Sequence, residues 1–179
     1  MKLLCTGLIM YCFSLFTSLK VGEKNPFIPS SDSLKLKSDT VLFRNKADTI
    51  VEFAKTFVGT KYLYGSCSPQ KGFDCSGFVY YVYLQNGITL PRSSYEMGRL
   101  GKQIQLSECK RGDVILFRGT NAKNPRIGHA GLIISDKGEP VRFVHSSSNT
   151  KKGGVIISNY DESSYYAKRF VKVVRFLKE

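Results

Sequence analysis

Histidine is scarce in this chain, with only His129 and His145 among 179 residues, and tryptophan is absent. None of the five cysteines forms a Cys-x-x-Cys pair or falls at a His/Cys spacing suited to zinc. No metal is therefore expected, and no other cofactor is called for. Acidic residues are few, 14 against 27 Lys and Arg, which leaves a net charge of +13. Such a charge favours polyanions: nucleic acid, anionic lipid or an acidic wall polymer. The basic residues are spread out, however, without the block of five or six that marks a nucleic-acid arm, so nucleic acid is not the expected partner. No internal repeat appears, and the one long apolar run is N-terminal.

That run, residues 3–19, lies between Met1-Lys2 and Lys20 and has the character of a secretory signal peptide. A single membrane anchor is the alternative, because the run approaches the roughly 18 residues a span needs. Thr6, Ser14, Thr17 and Ser18 weaken it as a span. Cys12 raises lipoprotein processing, although Tyr11 is a poor match for the small residue expected before it. Residues 1–20 are thus expected to be an export leader, placing the rest in the periplasm or cell envelope, membrane-anchored if Cys12 is lipidated. Residues 21–45, rich in Ser, Lys, Asp and Pro, read as a linker too short for an SH3-like targeting domain. The domain proper is expected over 46–179. Export leaves Cys67, Cys75 and Cys109, an odd number. Cys67 and Cys109 are expected either as a disulfide or, with more weight, as two buried free thiols.

Hydrophobic residues make up 42% and charged residues 23%, enough for one ordinary core. Apolar residues at helical spacing predict a helix over 47–58, with Gly59 as its stop. A second, largely buried helix is expected from Cys75 to Leu84, closed by Asn86-Gly87. A short one capped by Ser93 or Ser94 should reach Gly98. The second half is strand-like at 112–117, 129–135, 141–146, 154–158 and 170–176. Helices first and antiparallel strands after predict an α+β domain, its helices packed on one face of a central antiparallel sheet.

The chemistry-bearing stretch is Phe73-Asp74-Cys75-Ser76-Gly77-Phe78-Val79. It places a thiol at a helix start, where unpaired backbone N–H groups and the helix dipole favour the nucleophilic thiolate. The histidines follow on strands. A three-residue hairpin loop, Asp136-Lys137-Gly138, would pair Ser135 with Glu139, Ile133 with Val141, Gly131 with Phe143 and His129 with His145, making the imidazoles neighbours. His129 could then serve Cys75 as base and His145 could orient His129. The Cys75 N–H and the Tyr62 hydroxyl are candidate oxyanion donors. Tyr80, Tyr81 and Tyr83 read as packing residues, Asp113 as a turn residue, Asp74 as a helix cap or a ligand group, and Arg92 as an anchor.

These residues, together with Tyr62-Leu63-Tyr64-Gly65, Leu90-Pro91-Arg92-Ser93-Ser94, Arg111-Gly112-Asp113-Val114-Ile115-Leu116-Phe117, Gly128-His129-Ala130-Gly131-Leu132 and Val144-His145, resemble the NlpC/p60 cysteine peptidases, bacterial cell-wall hydrolases. The resemblance covers roughly residues 47–176. It implies a papain-like fold and cleavage of amide bonds in peptidoglycan stem peptides, either γ-D-glutamyl to a diamino acid or a D-Ala cross-link, through a thioacyl intermediate. It implies Cys75 as nucleophile, His129 as base, His145 as the third residue and Tyr62 at the oxyanion hole. Asp74, Ser76 and Arg92 fall at substrate-pocket positions. Gly65-Ser66 stands where many members have Gly-Gly, Cys67 replaces a small polar residue, and the loop with Gln70-Lys71-Gly72 is one residue longer. These departures bear on substrate preference. The alternatives are a thiol amidase or acyltransferase acting on another acyl group, and a catalytically idle wall-binding module. The basic surface suits anionic envelope polymers. Oligomeric state is not legible.

Overall fold

Asn45 opens the first helix by accepting the Asp48 N–H on its side chain at 3.0 Å. The computed structural model describes residues 45–121, 124–149 and 153–178. The leader, and all of the linker except Asn45, lie outside the described residues. Helix α1 (Lys46–Lys55) buries Ile50, Val51 and Ala54. A small hairpin follows, β1 (Cys67–Ser68) with β2 (Gly72–Phe73). Then come α2 (Cys75–Gln85), α3 (Ser94–Leu100), β3 (Lys102–Ile104) and a single 3₁₀ turn, Leu106–Glu108. The remaining elements are β4 (Val114–Arg118), β5 (Ile127–Ile133), β6 (Arg142–Ser147), β7 (Gly154–Asn159), the short helix α4 (Ser164–Ala167) and β8 (Phe170–Arg175).

Six strands form one antiparallel sheet in the order β3-β8-β4-β5-β6-β7. Both faces are covered, which explains the unbroken apolar run of β4. Val114 and Leu116 pack under α1–α3 with Phe78, Val79, Val82 and Met97. Ile115 and Phe117 point to a smaller core with Phe143, Val173 and Tyr166. The chain is therefore the expected α+β domain, with a second apolar layer beneath the sheet. Tyr83 is a packing residue, as expected, and its hydroxyl donates to the Gly112 carbonyl. Asp113 closes the turn, as expected. It also forms a buried ion pair with Arg175, Nε to Oδ1 at 2.7 Å and Nη2 to Oδ2 at 2.9 Å. Cys67 and Cys109 are both free, the former half-buried and the latter buried.

The expected register of the His129–His145 hairpin is wrong by two residues. Ile133 pairs with Phe143, not Val141, and Leu132 pairs with Val144. Pro140 is the cause. It has no N–H to give to the ladder, so regular pairing stops at Arg142 and the connection widens. The Arg142 N–H bonds the Ser135 hydroxyl at 3.1 Å, while Asp136 and Glu139 close the turn through Gly138 at φ 86°. A slip of two preserves the side-chain face. His145 moves beside Gly131, and His129 becomes its diagonal neighbour on the same side of the sheet.

Candidate active site

Cys75 is the first residue of α2, and the loop before it is fixed by backbone pairing. The Asp74 N–H donates to the Ser66 carbonyl at 2.9 Å, and the Ser66 hydroxyl donates to the Gly72 carbonyl at 2.7 Å. Phe73 is fully buried. The Asp74 carboxylate caps the helix by accepting the Gly77 N–H at 2.6 Å. Gly77 must be glycine: a Cβ there would lie 2.2 Å from the Ser66 carbonyl oxygen. The loop can thus press against the first turn of α2 and aim the thiol at β5, where Cys75 Sγ lies 3.8 Å from the Gly128 carbonyl.

The residue after Gly128 is His129. Its Nε2 lies 2.9 Å from His145 Nδ1, with the rings edge to face and their centroids 4.9 Å apart. The expected meeting of the imidazoles therefore occurs, by a diagonal rather than a direct cross-strand contact. His145 is fully buried, and its Nε2 lies 3.0 Å from Ser158 Oγ and 3.2 Å from the Tyr166 hydroxyl. Sequence reasoning missed Ser158 and Tyr166. When His129 Nε2 donates to His145 Nδ1, the second nitrogen of His145 carries the proton and the hydroxyls accept it. His129 Nδ1 is then left as a basic lone pair.

The electrostatics correct one expectation. Burial pushes the Cys75 thiol up and the neighbouring Asp74 charge adds to this, while the backbone N–H groups of Ala130, Ser76 and Cys75 pull down. The helix-start donors are present but lose to desolvation. Burial pushes His129 down to about 4, aided by the Arg169 charge. It holds His145 well below the usual histidine range, with His129 and Arg169 adding. Both shifts favour the neutral forms, thiol and imidazole.

Tyr62, Asp74, Cys75, Ser76 and Arg92 line one recess of about 430 Å³. Tyr62 is bridged by its backbone to Phe73, and its hydroxyl is pushed up by burial and by the facing Cys75 and Asp74. Arg92 grips Asp74 with both nitrogens, Nη2 to Oδ2 at 2.7 Å and Nη1 to Oδ1 at 3.1 Å, and Nη1 also donates to Ser76 Oγ at 3.1 Å. Cap and anchor are thus one network beneath the thiol. Of the seven residues expected at the site, five share this recess, and the other two, His129 and His145, pair with each other on the strands beside it. His129 also lines a second recess, together with Tyr166 and Arg169.

An α+β domain with a helix-start thiol packed against a strand that carries one of two hydrogen-bonded imidazoles is the class of protein the geometry defines. Residues 59–175 match the model of the NlpC/P60 family, and the chain belongs to that family. It is 34% identical over 125 residues to the gamma-DL-glutamyl hydrolase of Bacillus subtilis, covering 70% of this chain and 29% of that protein. It is 38% identical over 120 residues to the murein DD-endopeptidase MepS/murein LD-carboxypeptidase of Escherichia coli, covering 66% of this chain and 57% of that one. The chain therefore matches between 29% and 57% of the length of these two curated relatives. Among solved structures, an NlpC/P60 family protein from Bacillus cereus superposes with a TM-score of 0.64 at 29% identity, covering 74% of this chain and 40% of that one. RipD of Mycobacterium tuberculosis, described as a non-catalytic NlpC/p60 domain adapted to peptidoglycan binding, shares the fold at 18% identity and a TM-score of 0.57, covering 75% of this chain and 100% of that one.

Proposed function

We propose that this domain is a cysteine peptidase that hydrolyses amide bonds in peptidoglycan stem peptides. The observation that carries the reading is the 2.9 Å His129–His145 contact with the Cys75 sulfur packed against the residue preceding His129. The names of the Bacillus and Escherichia relatives support the substrate class and the two candidate bonds, γ-D-glutamyl to a diamino acid and the D-Ala cross-link.

The steps follow from a neutral resting pair. His129 takes the Cys75 proton as the sulfur attacks the scissile carbonyl carbon. The Cys75 N–H and the Tyr62 hydroxyl donate to the oxyanion. Collapse expels the amine, which takes the proton from His129, and leaves a thioacyl enzyme. His129 then draws a proton from water, the resulting hydroxide attacks the thioester, and the carboxylic product departs as the proton returns to sulfur. His145 holds the His129 ring in the base-competent tautomer. A neutral imidazole orients more than it stabilises charge, unlike a carboxylate in the same place. Asp74, Ser76 and Arg92 form the wall on the acyl side, and the reaction calls for no cofactor.

RipD is evidence that the fold also serves as an idle binding module, but retention of Cys75, His129 and His145 together favours catalysis here. The apolar leader supports action outside the cytoplasm, and the net charge of +13 supports attraction to anionic envelope polymers. Digestion of purified sacculi with fragment identification by mass spectrometry tests the reading. New termini at either bond are expected, and Cys75→Ala should abolish them. Undiminished cleavage by that variant would end the nucleophile assignment. Wall binding insensitive to salt would end the polymer attraction.

A further inference from the structure

The second recess, of about 260 Å³, plays no part in the steps above. His129, Ser147, Asn149, Tyr165, Tyr166 and Arg169 are among its walls, and among the described residues no acidic one lines it. Arg169 is held in a fixed pose. Its Nε and Nη2 both donate to the Arg118 carbonyl, at 3.1 and 2.6 Å, and its guanidinium lies 4.5 Å above the Tyr165 ring. These contacts set its plane and engage one edge, while the Nη1 edge makes no hydrogen bond to any described residue. Among the described residues no carboxylate lies within ion-pair distance of it. A pre-oriented guanidinium edge without an acidic neighbour matches a planar anion, and a carboxylate fits it with two parallel hydrogen bonds.

The direction of the substrate follows from the proton path. His129 must protonate the departing amine, so the residue bearing that amine lies against the His129 ring. The acyl portion lies over Cys75, in the recess that Tyr62 and Asp74 share. Beyond His129 the chain of the leaving residue enters the Arg169 recess. We propose that this recess is the leaving-group subsite and that Arg169 selects a free carboxylate on the residue released by cleavage. The inference rests on the peptidase reading above and adds to it the charge of the preferred substrate. Burial is the larger cause of the lowered His129 value and the Arg169 charge the smaller, so a carboxylate bound to Arg169 would relieve the second alone.

The test uses two synthetic stem peptides, identical except that the released residue carries a free carboxylate in one and a carboxamide in the other. kcat/KM is measured for each with the full chain. The wild type should prefer the carboxylate roughly 10- to 100-fold. Arg169→Gln keeps a donor for the Arg118 carbonyl but loses the charge, and should bring the ratio to within about threefold of one. Arg169→Lys should restore part of the preference. The ratio is internal to each preparation, so a loss of folded protein cancels. A wild-type ratio near one, or a preference that survives in Arg169→Gln, overturns the subsite while leaving the peptidase in place. Absence of Cys75-dependent cleavage of both peptides overturns the peptidase reading and the subsite with it.

Discussion

Cys75 is a half-buried thiol packed against the strand that carries His129, and its reactivity should follow that state. Alkylation of Cys75 by iodoacetamide should rise with pH along a titration above the ordinary thiol value of about 8.5, without a fast plateau near neutrality. A plateau below pH 7 would show a preformed thiolate–imidazolium pair instead. Peptidase activity should persist to low pH, because His129 stays neutral down to about 4. Ser158 and Tyr166 hold the outer nitrogen of His145, so Ser158→Ala with Tyr166→Phe should lower kcat by about tenfold with little change in KM. An equal rise in KM would point to a distorted cleft. At this scale the meeting of His129 with His145 beside the Cys75 helix was legible because the chain has only two histidines and both lie on strand-like segments. Ser158, Tyr166 and Arg169 were not. They are common residue types, carried by β7, α4 and the turn before β8, and no local pattern marks them.

The elements succeed or fail by how tightly their ends are fixed. The first turn of α2 is held by the Ser66 carbonyl pressed against Gly77, so Gly77→Ala should displace the 66–74 loop and destabilise the fold by about 1–3 kcal/mol, read from denaturant midpoints. Activity should fall further than the lost folded fraction explains. Asp113→Ala strands Arg175, whose guanidinium is almost wholly enclosed, and should destabilise the fold by roughly 3–5 kcal/mol. A change under 1 kcal/mol would mean that water replaces the carboxylate. Helix α1 was readable from its apolar periodicity, although it ends at Lys55 and not at the expected 58, α3 from its serine cap, and strands β4–β8 from apolar runs between turn residues. The two-residue strands β1 and β2 and the three-residue β3 are too short to carry a period, and they exist because their neighbours supply partners. The hairpin register was misread because Gly138 announced the turn that does form, while Pro140, two residues on, cannot donate to the ladder and keeps regular pairing from starting beside it.

For the whole molecule, the burial of two neutral histidines makes stability depend on pH. The folded-state value of His129 lies at about 4, below the unfolded value of about 6.5, so the unfolded chain binds more protons between the two. Stability should therefore be complete above pH 6.5 and decline as pH falls toward 4. His129 alone contributes a loss of about 2 kcal/mol after allowance for its partial exposure, and His145 adds in the same direction. Melting temperatures between pH 7 and 4.5 check this, and a His145→Asn variant should flatten the slope. The α+β architecture and its antiparallel sheet were legible from element order alone, whereas the layer beneath the sheet needed the fold to bring Tyr166, Phe143 and Phe117 together. One further property belongs to the molecule as a whole. The stretch carrying Tyr62 is stitched on one side to the outermost strand, Gly59 N–H to the Val155 carbonyl at 2.9 Å and Val155 N–H to the Thr60 carbonyl at 2.8 Å, and on the other to Phe73. Peeling this seam away would strip the rim of the sheet and carry the tyrosine off the sulfur in the same motion. A copy frayed there is at once sticky and silent, so precipitation and loss of turnover should begin together, before the rest of the molecule melts.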